Sequence, residues 1–494
     1  MDIDSIVAKM MKAERVPLDK LEQKKQTLEW QQTDYRSLNT TLIEFKTNSY
    51  DARLERTFLV RNADSSSTGV ATATAASSAA DGTYNIKVNQ LATGVSKAST
   101  AELANGKNTD GSSLTLFEQF SELGARGYLA TDNISVTING ETLEFDLDVD
   151  NMTTVASKIN QAELGITASY DSTLNRFFLN SNSTGSNAEI SIASDAAGLF
   201  ANLGVDDNTS ILKLNVNQGV SYTGQNASVD FGDATGLVSS TNAITVNGIT
   251  INLKGQGSST ITVTRNIEGV IDSITKFVDS YNKTLKTLYD KVQEERDPDY
   301  PPLTDAQKSE MSDSQIEDWE KKAKSGLLRN DERLKSMINS FRSAAYTAVS
   351  GVDGAYNSLN SIGIKSEAYD NSGQLVIDKD ALREALTKDP DAVKQMFTSS
   401  STDDSKKGVA VKVYEKALSG ITYIADKAGN ATSTGTVDSS IIGKKISKLS
   451  DEIDDWEEKL KKKEDKYYDK FTKMETAIYK MNAQSSWLTT MLGS

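Results

Sequence analysis

Counted back in sevens from Leu488, the chain shows Met481, Met474, Tyr467, Leu460, Ile453 and Ile446, an unbroken apolar stripe. A second stripe starts at Leu449 and Trp456 and turns polar at Lys463 and Lys470. Apolar positions about 3.5 residues apart, with charge on the other faces, predict a coiled-coil helix, roughly 70 Å long at about 1.5 Å per residue. Such a helix needs a partner for its seam, and the N-terminal stretch offers one. Val7, Leu21, Leu28, Tyr35 and Leu42 share one heptad phase, and Ile3, Met10, Leu38 and Phe45 share its companion. Pro17 lacks an N–H and restricts Val16, which predicts a short first helix and a longer one from Pro17 to about Asn48. With the two ends antiparallel, Val7 beside Leu488 and Leu42 beside Ile453, Lys24 falls level with Lys470 and Gln31 with Lys463. Both seams then turn polar at one height. Unpaired cations there cost free energy unless Asp19, Glu22, Glu464 or Asp469 reach them, so a leg in this register orders only against neighbours. The alternative is two ordinary surface helices. The candidate partner-binding residues are Val7, Met10, Leu21, Leu28, Leu38 and Leu42 at one end. At the other they are Ile453, Trp456, Leu460, Met474, Met481, Trp487 and Leu488.

Between the ends the period changes. From about Thr57 the pattern alternates, as in Phe58–Asn62, Val70–Ala75 and Thr83–Leu91, which predicts strands. Asn139-Gly140 and Asn247-Gly248 each sit between two alternating runs and predict hairpins, each leading toward a helix. Asn266 reads as an N-cap for an amphipathic helix to about Glu294 whose stripe includes Ile274, Phe277 and Leu285. A further helix is predicted from about Asp331 to Val349. A hairpin across Asn371-Ser372-Gly373 leads into helices capped by Asp378 and Asp389, and 398–408 and 429–440 read as mobile loops. The fold class is α+β and multidomain, with terminal coiled-coil helices, a mainly helical domain and two nested β-rich head domains. The divisions are 1–45 and 441–494 for the leg, 46–80 and 266–440 for the helical domain, 81–130 and 221–265 for the inner β domain, and 131–220 for the outer one.

Composition narrows the chemistry. Among 494 residues there is no cysteine and no histidine. That excludes disulfides and thiolate sites, and removes the commonest general base and metal ligand. A net charge of −15 argues against nucleic acid as partner. The basic run Lys461–Lys463 is accounted for by i,i+4 pairs with Glu457, Glu458 and their neighbours. No apolar run is long enough to insert in a membrane, and Met1–Ser5 lacks a basic or apolar leader, so no cleavable secretory signal is expected. Asp146, Asp148 and Asp150 have a calcium-loop spacing without its glycine and final glutamate, and read as one solvated strand face. Gly255-Gln256-Gly257 is too short for a phosphate loop. Trp30, Trp319, Trp456 and Trp487 read as packing residues. A carboxylate enzyme using Asp146, Asp148 or Asp171 is the remote alternative, and no constellation reaches an active site, so the chain reads as a non-enzyme without cofactor.

Several passages together resemble the bacterial flagellar filament cap (hook-associated protein 2) family. Met1–Leu42 resembles its N-terminal region and Tyr84–Ala92 its first β-domain strand. Phe277–Asn282, Tyr356–Ile364, Gly373–Asp378, Ala385-Leu386 and Asp389–Phe397 resemble its helical-domain signatures, while 133–204 is similar to β inserts of flagellins. The resemblance implies a structural cap at the distal, extracellular tip of the flagellum, a homo-oligomeric ring that guides flagellin polymerisation. It also implies export through the flagellar channel with a chaperone bound near the C-terminus, and no catalytic residues. An adhesive role, with the β domains binding glycans, is the alternative and is compatible with an exposed cap.

Overall fold

The N-terminal pattern folds as one helix, Ile3–Asn48, rather than two. The computed structural model describes residues 2–203, 210–352, 355–366, 372–430 and 438–492. Pro17 lies inside the helix, where the lost hydrogen bond and ring clash cost about 3 kcal/mol. Leu18, the next residue, is fully buried with Ile453 and Leu460, and Met11, Leu21 and Trp456 pack around them. A buried leucine alone contributes about 1.5–3 kcal/mol, so the cluster offsets the proline and the expected break does not occur.

This helix belongs to a helical unit made of Met1–Phe58 and Ile267–Ser494; Leu59–Asn266 form a separate β unit. Tyr35, Leu38, Leu42 and Phe45 face the core of the helical unit. Helix Ile267–Gln293 presents the predicted stripe, burying Ile274, Phe277, Tyr281 and Leu285 among others. Phe277 lies 6.2 Å from Phe45 and 6.0 Å from Phe397 between ring centroids, and Phe45 lies 5.8 Å from Phe341. Helix Val409–Ala428 comes close to the N-terminal helix at Gly420, where a Cβ would stand 3.1 Å from Leu42 Cδ1. Asp331, Asp378 and Asp389 each cap a helix by accepting backbone N–H bonds, and Pro390 occupies the first turn after Asp389. The hairpin pairs Ile364–Ser366 with Leu375–Ile377, while 367–371 of the sequence reading lie outside the described residues. Loop 398–408 is held rather than loose, since Lys407 Nζ sits 2.6 Å from Glu415 Oε2 and 2.9 Å from Asp404 Oδ1. Of loop 429–440, residues 431–437 also lie outside the described residues.

The β unit contains two cores. In the first, a five-stranded sheet (61–65, 257–265, 82–90, 227–231, 234–239 in spatial order) and a three-stranded one (243–246, 249–253, 71–75) contribute Ile86, Val229, Ile251 and Ile261. In the second, a four-stranded sheet (221–223, 189–195, 133–138, 141–146) and a three-stranded one (96–98, 176–181, 166–171) enclose Val136, Phe145, Ile159, Phe177 and Phe200. Both Asn-Gly pairs turn as expected, with φ of 47° and 90° at Asn139 and Gly140 and 51° and 76° at Asn247 and Gly248.

The nesting matches the sequence reading, but the divisions differ. Strands Arg61–Ser65 and Ala71–Ala75 pair with Gly257–Arg265 and Ile249–Leu253, so 59–80 lie in the β unit and not in the helical one. Strand Ser96–Ala98 pairs with Arg176–Ser181, and Leu103, Leu116, Phe120 and Leu123 enter the second core, so that layer begins well before 131. These segments are short, and only their partners reveal which core they serve.

Candidate partner-binding leg

The C-terminal helix, Ile441–Leu492, runs antiparallel to the N-terminal one. Its first turns add Ile442 and Ile446 to the helical core. Beyond them Leu449, Ile453, Trp456, Leu460, Lys463 and Tyr467 recur at alternating steps of four and three, a coiled-coil seam with one charged member. The facing seam reads Val7, Met11, Glu14, Leu18 and Leu21, with the same alternation and again one charged member.

The two charged positions meet. Lys463 Nζ lies 2.5 Å from Glu14 Oε2, and the Tyr467 hydroxyl donates to Glu14 Oε1 at 2.9 Å. Hydrogen bonds from Lys463 and then Tyr467 hold the Glu14 carboxyl below the ordinary glutamate range, while its hydrogen bond to Glu14 raises the Lys463 ammonium. Nearer the core, Arg36 donates to Asp438 Oδ2 at 2.8 Å and to the Ala428 carbonyl at 2.9 Å. The leg is therefore antiparallel as expected, but its register is not the expected one. Lys463 faces Glu14 instead of Gln31, a displacement of roughly five helical turns. Gln31 instead donates to the Leu327 carbonyl, and Lys24 is exposed. Charge decides between the registers. The expected alignment sets Lys24 level with Lys470, whereas the observed one pairs a lysine with a carboxylate, a device that fixes coiled-coil register. The premise of an unpaired cation at Lys463 falls with it.

The candidate residues accordingly divide into three groups. Val7, Leu21, Ile453, Trp456 and Leu460 are buried or half-buried along the leg. Leu28, Leu38 and Leu42 are spent on the helical core. Met10 is exposed, as are Met474, Met481, Trp487 and Leu488, joined by Tyr479 (79% exposed) and Met491. Desolvation and then a hydrogen bond to Asp4 raise the Tyr468 phenol, which places the first turn of the N-terminal helix level with Tyr468. At Met474, Met481 and Leu488 the heptad stripe continues exposed.

Family models for the N-terminus and C-terminus of flagellar hook-associated protein 2 match residues 1–94 and 224–483. Flagellar hook-associated protein 2 of Halalkalibacterium halodurans is 31% identical over 98% of this chain and 96% of its own length.

The chain belongs to the flagellar hook-associated protein 2 family.

A second hook-associated protein 2, from Thermotoga maritima, is 27% identical over 72% of this chain and 54% of its own length. The fold agrees with the crystal structure of the D1-D2-D3 domains of the flagellar cap protein from Escherichia coli. That match has a TM-score of 0.53 and 20% identity, covering 84% of this chain and 99% of that one. Hook-associated protein 2 is the filament cap of the bacterial flagellum, and the chain is a structural component of that cap.

For this member of the hook-associated protein 2 family, the other candidate chemistry dissolves into structure. The strand ends at Asp146, whose carboxylate accepts from the Asp148 and Val149 N–H groups. Asp150 is buried and bonds Lys158 Nζ at 2.6 Å, so the three aspartates form a turn and not one solvated strand face. Among the described residues no acidic group of three could hold a metal ion, and no helix is long and apolar enough to cross a membrane. Trp319 donates to the Pro301 carbonyl at 2.8 Å and packs on Tyr300, a structural role, whereas Trp487 is exposed. The sequence reading missed Met11, Glu14 and Leu18. Following the four-three alternation straight through Pro17 finds all three.

The Glu14 contact sets an expected pH response. Its folded carboxyl is depressed, so the contact stabilises the leg above the unfolded glutamate pKa and is lost as the pH falls through the folded value. Hydrogen exchange at 4–18 and 453–468 should accelerate over that window relative to the intrinsic rate. Glu14→Gln should show faster opening at neutral pH and no such acid response; an unchanged profile would remove the pair from the account of register.

Proposed function

We propose that the chain works as one subunit of an oligomeric ring at the filament tip, which guides incoming flagellin into place without catalytic chemistry of its own. The exposed apolar stripe from Met474 to Leu488 supports this reading. A helix that satisfies its own seam as far as Tyr467 and then carries Met474, Met481, Trp487 and Leu488 into solvent has surface to offer other chains. In the assembled cap these positions receive neighbouring subunits or flagellin. The flagellar export chaperone uses the same C-terminal region before assembly, and the protein leaves through the flagellar channel.

The test replaces Met481, Trp487 and Leu488 together by serine. Helical content of the isolated protein should stay the same, because these side chains have no cover in the subunit. Rings seen by electron microscopy, alone and on filament ends, should fall roughly tenfold or more, the effect of losing buried apolar anchors. Flagellin should then escape into the medium unpolymerised. Measuring the amount of variant secreted separates failed export from failed capping. Normal rings and capped filaments would overturn the assignment of this stripe.

A further inference from the structure

In the helical unit, a groove of about 430 Å³ lies between helices Glu332–Tyr346 and Val409–Ala428, with loop residues Asp404 and Ser405 at its rim. Its walls carry Asn339, Ser340, Ser343 and Thr347, and two lysines, Lys412 and Lys416, enter from the facing helix. Lys412 is 5% exposed. Its ammonium has three protons to place, and the bond it makes is a long one, 3.5 Å to the Thr347 carbonyl. Among the described residues no carboxylate lies within ion-pair distance of it. Asp404, the acidic group at the rim, is engaged by Lys407 at 2.9 Å and lies 3.8 Å from Lys416. Burying an ammonium without a counter-charge is costly unless something repays it.

The hydroxyls of the groove divide in two. Ser340 and Thr347 donate to carbonyls one turn back, at Ser336 and Ser343, and Ser405 donates to Asp403. Ser343 is exposed beside the groove and makes no such bond. A small oxyanion seated here would meet the Lys412 ammonium at the floor, Lys416 at the side, and the Ser343 hydroxyl and Asn339 amide as neutral donors. That is the donor set a carboxylate or phosphate group needs.

We propose that this groove is a binding site for a single oxyanion, a carboxylate or phosphate group, with Lys412 as its principal counter-charge. The group comes either from a free small anion or from an acidic side chain of a second copy, of which a chain of net charge −15 has many. Burial depresses the Lys412 amine, with Asp404 as the opposing influence, and a bound oxyanion would reverse that depression.

Lys412→Met is the central variant, because it keeps the volume of the stem and removes a buried charge, a change that folded proteins tolerate or gain from. Thermal unfolding of the full chain is followed at 222 nm in inorganic phosphate, in acetate, and in sodium chloride of equal ionic strength. If a free anion occupies the groove, phosphate or acetate raises the wild-type midpoint by a few degrees over chloride. Lys412→Met loses that difference and Lys416→Met loses part of it. If the source is a second copy, neither salt acts specifically on the dilute chain, and Lys412→Met weakens self-association roughly tenfold in sedimentation. Salt responses and self-association both equal between wild type and Lys412→Met would overturn the site.

Discussion

Replacing Phe277 by alanine should destabilise the helical unit by about 3–5 kcal/mol, the usual cost of truncating a buried aromatic ring. Phe277 is 1% exposed and joins three segments remote in sequence. Its ring meets Phe45 on the N-terminal helix and Phe397 on helix Pro390–Thr398, while Phe45 in turn meets Phe341. No neighbour can collapse into the space without withdrawing from another ring, so the cavity term adds to the transfer term. The measurement is simple in this protein, because Trp30, Trp319, Trp456 and Trp487 all lie in the helical unit and none lies within Leu59–Asn266. Urea unfolding followed by tryptophan fluorescence therefore reports the helical unit alone, and its midpoint should fall sharply. A loss below about 1 kcal/mol would mean that the ring contacts rearrange freely and that Phe277 does not anchor the unit.

Why was this core readable from the pattern, when the register of the leg was not? The stripe on Ile267–Gln293 repeats over many turns, so one helical period predicts the buried apolar positions from Val270 to Leu288. The capping aspartates Asp331, Asp378 and Asp389 act within their own turn, and local sequence is enough to find them. Register depends instead on which partner claims a residue. Leu28 and Leu42 continue the heptad phase of Val7 and Leu38 its companion, yet the helical core takes all three, and only the part of the N-terminal helix up to Leu21 remains for the seam. Pro17 deepened the error by suggesting a break that Leu18 packing overrides. The groove at Lys412 was invisible for a similar reason. Its lysines lie on one helix and its hydroxyls on another that precedes it by some seventy residues, roughly four times the length of either helix. No spacing rule connects them, and only the packed structure does so.

The second large effect is expected at Asp195, which the sequence does not mark at all. Asp195 ends strand Glu189–Asp195 and is completely buried. Its carboxylate accepts from the N–H groups of Leu199 at 3.0 Å, Phe200 at 2.6 Å and Ala201 at 2.8 Å. Those bonds curl the chain so that Phe200 enters the second β core, 5.9 Å from both Phe145 and Phe177. Asp195→Ala leaves three buried backbone donors without their acceptor, each worth about 1–3 kcal/mol, so a loss of roughly 3–5 kcal/mol in the β unit is expected. Hydrogen exchange at 198–201 and 211–216 should accelerate with it, since Gly198 and Leu199 carbonyls accept from Ile211 and Leu212. The pH dependence has a definite sign. Burial raises the Asp195 carboxyl, outweighing the pull of the backbone donors. The folded state then holds the proton more tightly than the unfolded chain, and stability from this group falls as the pH rises from the ordinary aspartate range through the raised value. Asp195→Ala lacks that slope. The difference in unfolding free energy between wild type and variant should therefore be wider in acid than at neutrality. A difference that widens with rising pH would mean that the N–H donors dominate and that Asp195 holds its loop as a carboxylate more strongly than as an acid.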